Sequence, residues 1–268
     1  MHQPTRTQVR LVTALLAAVL VVAGSAIMLW GGASRMSPPV PSADVASVNG
    51  VAIPTREFAL FLDQDRASVF AYFQQHFGAQ DSKSFWTTSF AGQTPTEWLR
   101  SAALTDATRT TVQFALAYQY KLVTSPGYAE FLNTWKAENR RHALDVANHR
   151  PIYGPQQYTE ANYLTYVIGN LGFELQDSLA SDGKFDTSDA KLNAYYLTHV
   201  SDFSKGRIGP ILTDFEAVKV QVRLAYLNTQ YVTLVDRLVK SATVTTTSNM
   251  QRLVKSGCIG AGTCTSTG

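Results

Sequence analysis

The stretch Asp44–Leu62, DVASVNGVAIPTREFALFL, predicts a strand, a tight turn, a second short strand and then an amphipathic helix. Asn49-Gly50 is a strong hairpin signal, because both residues tolerate the positive φ angles of a two-residue turn. Pro54 or Thr55 can begin the helix, since proline suits a first turn in which an amide hydrogen would have no partner anyway. The apolar positions that follow have the i, i+3, i+4 spacing of one helix face. They are Phe58, Phe61 and Leu62.

Apolar residues at helical spacing predict further helices, separated by turns that contain glycine, proline and polar residues. The first helix continues over Phe58–Phe77, and the others cover Thr96–Leu122, Tyr128–His149, Thr159–Leu179, Thr187–His199 and Thr213–Ala242. Thr94 and Thr187 are predicted helix caps, and Thr213 with Glu216 has the spacing of a capping box. Glu57 lies in the first turn of the first helix, where a negative charge favours the positive helix end.

Several of these segments, in this order, resemble SurA/PrsA-type extracytoplasmic chaperones, a family whose members often carry a parvulin peptidyl-prolyl isomerase domain. The segments that carry the resemblance are Val48-Asn49-Gly50 before the first helix, Phe131-Leu132 with Trp135, Glu138-Asn139 with Arg141, Tyr153-Gly154-Pro155, and Leu192 with Tyr195-Tyr196. The resemblance covers about residues 44–250. It implies a mainly helical lobe with a small strand patch at its base, in which Ala242–Thr246 pairs with the strand around Val45–Val48.

The resemblance stops where the family's catalytic domain would lie. A parvulin domain would follow the Tyr195-Tyr196 helix, but only Val200–Leu212 separates that helix from the one predicted to begin at Thr213. No isomerase residue can therefore be assigned, and the prediction is a protein without isomerase activity. The sequence also lacks a Gly-x-Ser-x-Gly nucleophile motif. We expect no enzyme activity, catalytic residue or cofactor.

Ionisable residues give no clear metal site. His142, Asp145 and His149 share one predicted helix face, with a spacing that a metal site could use, but a fourth ligand is not evident. They are interpreted as a solvated polar face, and Glu130 and Glu160 as surface charges. The formal net charge is +3, of which Arg6 and Arg10 contribute two, so the remainder is nearly neutral. That balance argues against a nucleic-acid partner.

The N-terminal region has the pattern of a membrane-associated leader. Leu11–Trp30 is an uncharged run whose length matches the hydrocarbon core of a bilayer, roughly 30 Å thick. Arg6 and Arg10 precede it, which predicts that the N-terminus lies inside and the remainder outside. An uncleaved single-pass anchor is the favoured interpretation, and a signal segment cleaved near Gly31-Gly32-Ala33 remains the alternative. The predicted localisation is the cell membrane, with the C-terminal part extracytoplasmic, or secretion if the leader is cleaved.

The predicted organisation has five parts. They are a cytoplasmic segment at 1–10, a transmembrane or signal segment at 11–30, a Pro-rich linker at 31–43, a SurA-like domain at 44–250 and a flexible tail at 251–268. Cys258 and Cys264 lie close together in that tail. Outside the cytoplasm such a pair commonly forms a disulfide, and two free thiols are the alternative.

Aromatic side chains are the feature most relevant to function. Two interpretations are open: they pack the core, or some of them line a groove with large, adaptable apolar contacts. The candidate peptide-binding residues are Phe73, Trp135, Tyr153, Tyr158, Tyr163 and Tyr166. The resemblance implies an ATP-independent holdase that binds unfolded apolar segments of secreted polypeptides outside the membrane. The alternative is a degenerate family member that serves as a dedicated-partner adaptor or as a structural subunit of an envelope complex.

Overall fold

The computed structural model describes residues 44–203 and 214–255. The predicted N-terminal, membrane and linker segments at 1–43 and the predicted Cys258–Cys264 pair lie outside these residues. Within the two described ranges, no helix combines the length and the apolar character needed to cross a bilayer.

A three-stranded antiparallel sheet joins the two ends of the described chain. Strand β1, Asp44–Val48, pairs with β2, Val51–Pro54, and on its other edge with β3, Val244–Thr246. Asn49 and Gly50 make the β1–β2 turn with φ angles of 51° and 84°. The predicted hairpin and the predicted pairing of the chain ends are therefore both confirmed. The central strand β1 is also the most buried of the three.

The remainder of the described chain is mainly helical, as predicted. The helices are α1 Thr55–Phe77, α2 Pro95–Gln119, α3 Tyr128–Ala147, α4 Glu160–Ser181, α5 Asp189–Thr198, α6 Val200–Phe203, α7 Phe215–Ser241 and α8 Ser248–Lys255, with a 3-10 turn at Phe85–Thr87. Helices α1 and α2 form the most extensive helix pair, and α7 packs against α2, α4 and α5. One continuous apolar core runs through the sheet and these helices.

Helix starts follow the local chemistry of capping, and two of them differ from prediction. Thr94 and Glu97 form a reciprocal capping box at the start of α2, with distances of 3.2 and 2.9 Å. Helix α5 begins after Ser188 rather than Thr187. At α7 the cap is Asp214, whose carboxylate accepts the backbone N–H of Glu216; the predicted cap, Thr213, lies outside the described residues. In both helices a neighbouring residue of the capping type occupies the cap position, although Ser188 makes no side-chain capping hydrogen bond.

The first residues of the predicted flexible tail, 251–255, belong to helix α8. Met250 in this helix is almost completely buried in the core. Thr247 accepts the backbone N–H of Asn249 at the helix start and donates its hydroxyl to the carbonyl of Asp44. Helix α8 continues past the predicted boundary at residue 250 to Lys255. Met250 is buried in this helix and Leu253 packs partly buried against the core, which is too little apolar periodicity for the sequence to reveal the helix.

Candidate functional site

Hydrogen bonds from α3 to Tyr158 hold the connection between α3 and α4 against α3, and we call them the clamp at Tyr158. Asn139 donates its side-chain amide to the carbonyl of Tyr158 at 3.0 Å and accepts the backbone N–H of Tyr158 at 2.8 Å. Trp135 donates its indole N–H to the same carbonyl at 2.9 Å. We call residues 138–166 the α3–α4 arm. These bonds fix the connection against α3, so the arm is a defined surface.

His142 lies inside this arm, although the sequence suggested a solvated polar face. Its ring is fully buried, with Nδ1 2.8 Å from the carbonyl oxygen of Pro155 and Nε2 3.2 Å from Oε1 of Glu138. The first contact requires a proton on Nδ1, and Nε2 makes no hydrogen bond within the described residues. The prediction failed because the connection after α3 folds back over this face and covers the imidazole.

The other members of the predicted polar face do not converge with His142 on a ligand. Asp145 forms ion pairs with Arg141 and Arg150, each at 2.9 Å. His149 is exposed beyond the end of α3. Across the described ranges no group of three or more metal-ligating side chains could hold an ion. Arg141 also donates to Glu138, and this hydrogen bond lowers the pKa of the Glu138 carboxyl.

Three of the six predicted peptide-binding residues are buried, which corrects their assignment. Phe73 is only 1% exposed and lies in the core between α1 and α2, with ring contacts to Phe85 and Trp98. Tyr158 and Tyr163 are also buried. Burial raises the pKa of Tyr163 to about 12, so its hydroxyl stays neutral. These rings support the arm from within and do not present a contact surface.

The other three predicted residues do reach the surface. Tyr153 is 89% exposed and Tyr166 is 48% exposed, while Trp135 is half-buried. Leu144, 61% exposed, and Val146, also exposed, add two apolar side chains that the sequence analysis did not select. The sequence already indicated that they could be exposed, because they are apolar residues in the most polar part of α3. The structure thus leaves four exposed apolar side chains on the arm.

An ion pair between Arg56 and Glu160 joins the arm to the base of the lobe, next to the buried carboxyl group of Glu57. Arg56 at the start of α1 forms a two-point ion pair with Glu160 at the start of α4, with distances of 2.5 and 3.0 Å. The Glu160 side chain is only 12% exposed, so its assignment as a surface charge is wrong. Arg56 also lies 5.9 Å from the ring centre of Trp135. Adjacent to this pair, Glu57 is 4% exposed.

Two carboxyl groups have strongly raised pKa values that the sequence did not suggest. Burial, aided by the charge of Glu160, raises the pKa of Glu57 to about 8. Burial also raises the pKa of Asp65 to about 6, with a further contribution from Asp106 across the α1–α2 interface. Such values can mark a catalytic acid or base. Glu57 is too enclosed to contact a substrate directly, so the structure favours a role in stability.

Comparisons of this chain with protein-family models, with curated proteins and with solved structures found no match.

Proposed function

We propose that this protein is an ATP-independent holdase that binds extended apolar segments of unfolded polypeptides through the α3–α4 arm. The observation that carries the proposal is the set of four exposed apolar side chains on an arm with a hydrogen-bonded backbone. They are Leu144, Val146, Tyr153 and Tyr166. Exposed apolar residues are ordinary when they stand singly, so the proposal rests on the occurrence of four of them within one short hydrogen-bonded segment.

The arm suits weak binding of many different sequences. Apolar burial contributes about 25 cal/mol per Å² and has no fixed direction, so it does not require a particular client sequence. Tyrosine adds a polar hydroxyl at the edge of a large ring. Because the clamp at Tyr158 already fixes the backbone, little ordering of the arm opposes binding. Clients would dissociate without any chemical step, as a holdase requires.

Aggregation of an unfolded client provides the test of the arm. A fragment of residues 44–255 is expected to suppress client light scattering without nucleotide, with little dependence on salt because the contacts are apolar. Replacing Leu144, Tyr153 and Tyr166 together by alanine should weaken suppression at least about tenfold, since each loses apolar area that the client would bury. The melting temperature should change little, because all three side chains are exposed.

A matched control replaces three exposed apolar residues outside the arm, Leu197, Val220 and Leu224, by alanine. This variant should retain suppression, and equal loss in both variants would indicate general surface stickiness and contradict the arm. Leu175→Ala is the folding control, because Leu175 is fully buried and its truncation typically costs about 2–5 kcal/mol. If the unaltered fragment leaves scattering unchanged at molar excess, the dedicated-partner adaptor becomes the better account.

We also expect no prolyl isomerase activity. The connection between α6 and α7 covers residues 204–214, which is far below the roughly 50 residues that a small domain needs. Refolding of a proline-limited substrate should therefore proceed at its uncatalysed rate in the presence of the fragment. An acceleration that saturates with substrate concentration would contradict this prediction.

A further inference from the structure

A second surface feature lies on α1, away from the residues of the α3–α4 arm. It is a pocket of about 380 Å³, a size within the range of roughly 300–1,000 Å³ typical of ligand sites. We call it the α1 pocket. Its lining residues are Asp63, Arg66, Ala67, Phe70, Asp81 and Trp86. The lining thus combines two carboxylates, one guanidinium and two aromatic rings.

Arg66 provides a hydrogen-bond donor that no described residue satisfies. Its Nη1 atom is buried and has no hydrogen-bond partner within residues 44–203 and 214–255. The guanidinium carbon lies 4.8 Å from the ring centre of Trp86, a cation–π contact that holds the group in place. A buried donor without a partner is costly, and such groups in folded proteins call for an explanation. Trp86 thus fixes Arg66 in the wall of the pocket, while its buried Nη1 atom is out of reach of a ligand in this conformation.

Asp63 and Asp81 provide negative charges that have no ion-pair partner among the described residues. Both side chains are exposed, and in the described parts of the chain neither forms a side-chain hydrogen bond or an ion pair. With Arg66 they give the pocket lining a formal charge of −1. The chain as a whole is slightly basic, so this is a local attraction for cations and does not follow from the net charge.

We propose that the α1 pocket binds an extended polypeptide segment at a lysine or arginine residue. The cationic group of that residue interacts with Asp63 and Asp81. The aliphatic part of the basic side chain packs on Phe70 and Trp86, as long charged side chains do on apolar surfaces. A divalent metal ion fits less well, because such an ion takes about six oxygen ligands and the lining offers only two carboxylates.

This site has a different physical signature from the α3–α4 arm. Exposed ionic contacts weaken with salt, because the screening length falls from about 30 Å at about 0.01 M to about 8 Å at about 0.15 M. Binding at the arm is apolar and should not share this dependence. The two sites can therefore be tested separately, and the result for the α1 pocket does not depend on the holdase function.

The experiment measures fluorescence anisotropy of two labelled peptides with the full-length chain, held in nanodiscs of zwitterionic lipid. One is an acetylated and amidated octapeptide with two lysines among glycine and alanine, and the other has glutamine in place of each lysine. The lysine peptide should bind about fivefold or more tightly at low salt, given the strength of exposed ion pairs. Most of this preference should disappear at about 0.15 M salt.

Matched variants distinguish the pocket from general electrostatic attraction. Asp63→Asn with Asp81→Asn should reduce lysine-peptide affinity to that of the glutamine peptide. The control, Asp177→Asn with Asp182→Asn, removes the same charge from exposed positions elsewhere and should leave the preference intact.

Three results would overturn the proposal. The first is equal affinity for the lysine and glutamine peptides at low salt. The second is an unchanged preference in the variant that lacks Asp63 and Asp81. The third is an equal loss in the Asp177 and Asp182 control, which would assign the preference to overall charge.

Discussion

A chain that ends at Lys240 is expected to lose most of its cooperative folding. This truncation removes β3 and α8, and with them one whole edge of the β1 pairing. Thr243 and Asn49 exchange two hydrogen bonds, at 2.9 and 2.8 Å, and Thr247 donates its backbone N–H to Val45 at 2.9 Å. Met250 loses its buried site as well. Strand β1 therefore folds as one unit with β3 and α8.

The expected loss is large relative to the total stability. Each hydrogen bond contributes about 1 kcal/mol net, and burying a methionine side chain contributes about 1.5–3 kcal/mol. Several such bonds and one methionine together approach the roughly 5–15 kcal/mol that separates folded from unfolded domains. Chemical denaturation followed by far-ultraviolet circular dichroism measures the change, with residues 44–255 as the reference and 44–240 as the truncated form.

A chain of residues 1–255 is the control for the removal of C-terminal residues in general. It retains every contact described for β3 and α8, and we expect it to denature like the chain that ends at Gly268. If the fragment 44–240 denatures at the same midpoint as 44–255, the pairing of the chain ends does not contribute to stability and the interpretation of the sheet is wrong.

Replacing Glu57 by glutamine is expected to remove a pH dependence of stability. Burial raises the pKa of Glu57 from 4.5 to about 8, so the folded state holds this proton more tightly than the unfolded state does. Stability therefore falls as the pH rises from about 4.5 to about 8 and then levels off. At about 1.4 kcal/mol per pKa unit the upper bound is roughly 4–5 kcal/mol, and relaxation around the carboxylate reduces it.

The comparison with Glu57→Gln isolates Glu57 between pH 6 and 8, because the other groups that titrate there, histidines included, are present in both proteins. Asp65 produces a slope of the same sign, but only between its ordinary value of 3.8 and about 6. Across pH 6–8, urea denaturation midpoints of the unaltered fragment should fall relative to those of Glu57→Gln. Above pH 8 the variant should be the more stable protein, because glutamine needs no proton to remain neutral. Parallel curves for the two proteins would show that Glu57 is not the titrating group.

Glu97→Gln provides a control of opposite sign at another first-turn glutamate. Donation from the backbone N–H of Thr94 lowers the pKa of Glu97, so its contribution to stability is lost as the pH falls. This variant should match the unaltered fragment in slope between pH 6 and 8. Both glutamates occupy the first turn of a helix, and the sequence pattern treats them alike. Their opposite pKa shifts arise from burial in one case and from solvent-exposed capping in the other.

The sequence predicted the candidate contact residues only in part. Tyr153 and Tyr166 reach the surface, whereas Tyr158 and Tyr163 are covered. The start of α4 carries aromatic residues on more than one face, so helical spacing alone does not say which of them the neighbouring helix covers. Phe131 of α3 packs on Tyr163 with ring centres 5.7 Å apart, which assigns this face to the interior.

By itself, the sequence determined the features that depend on neighbouring residues. The turn at Asn49-Gly50, the capping box at Thr94 and the approximate extent of the long helices follow from backbone preferences and from the spacing of apolar residues. Only the tertiary structure decided that His142 and Glu57 are buried and that α8 is anchored by Met250. Burial depends on segments distant in the sequence, and no local pattern specifies which segment will cover a given side chain.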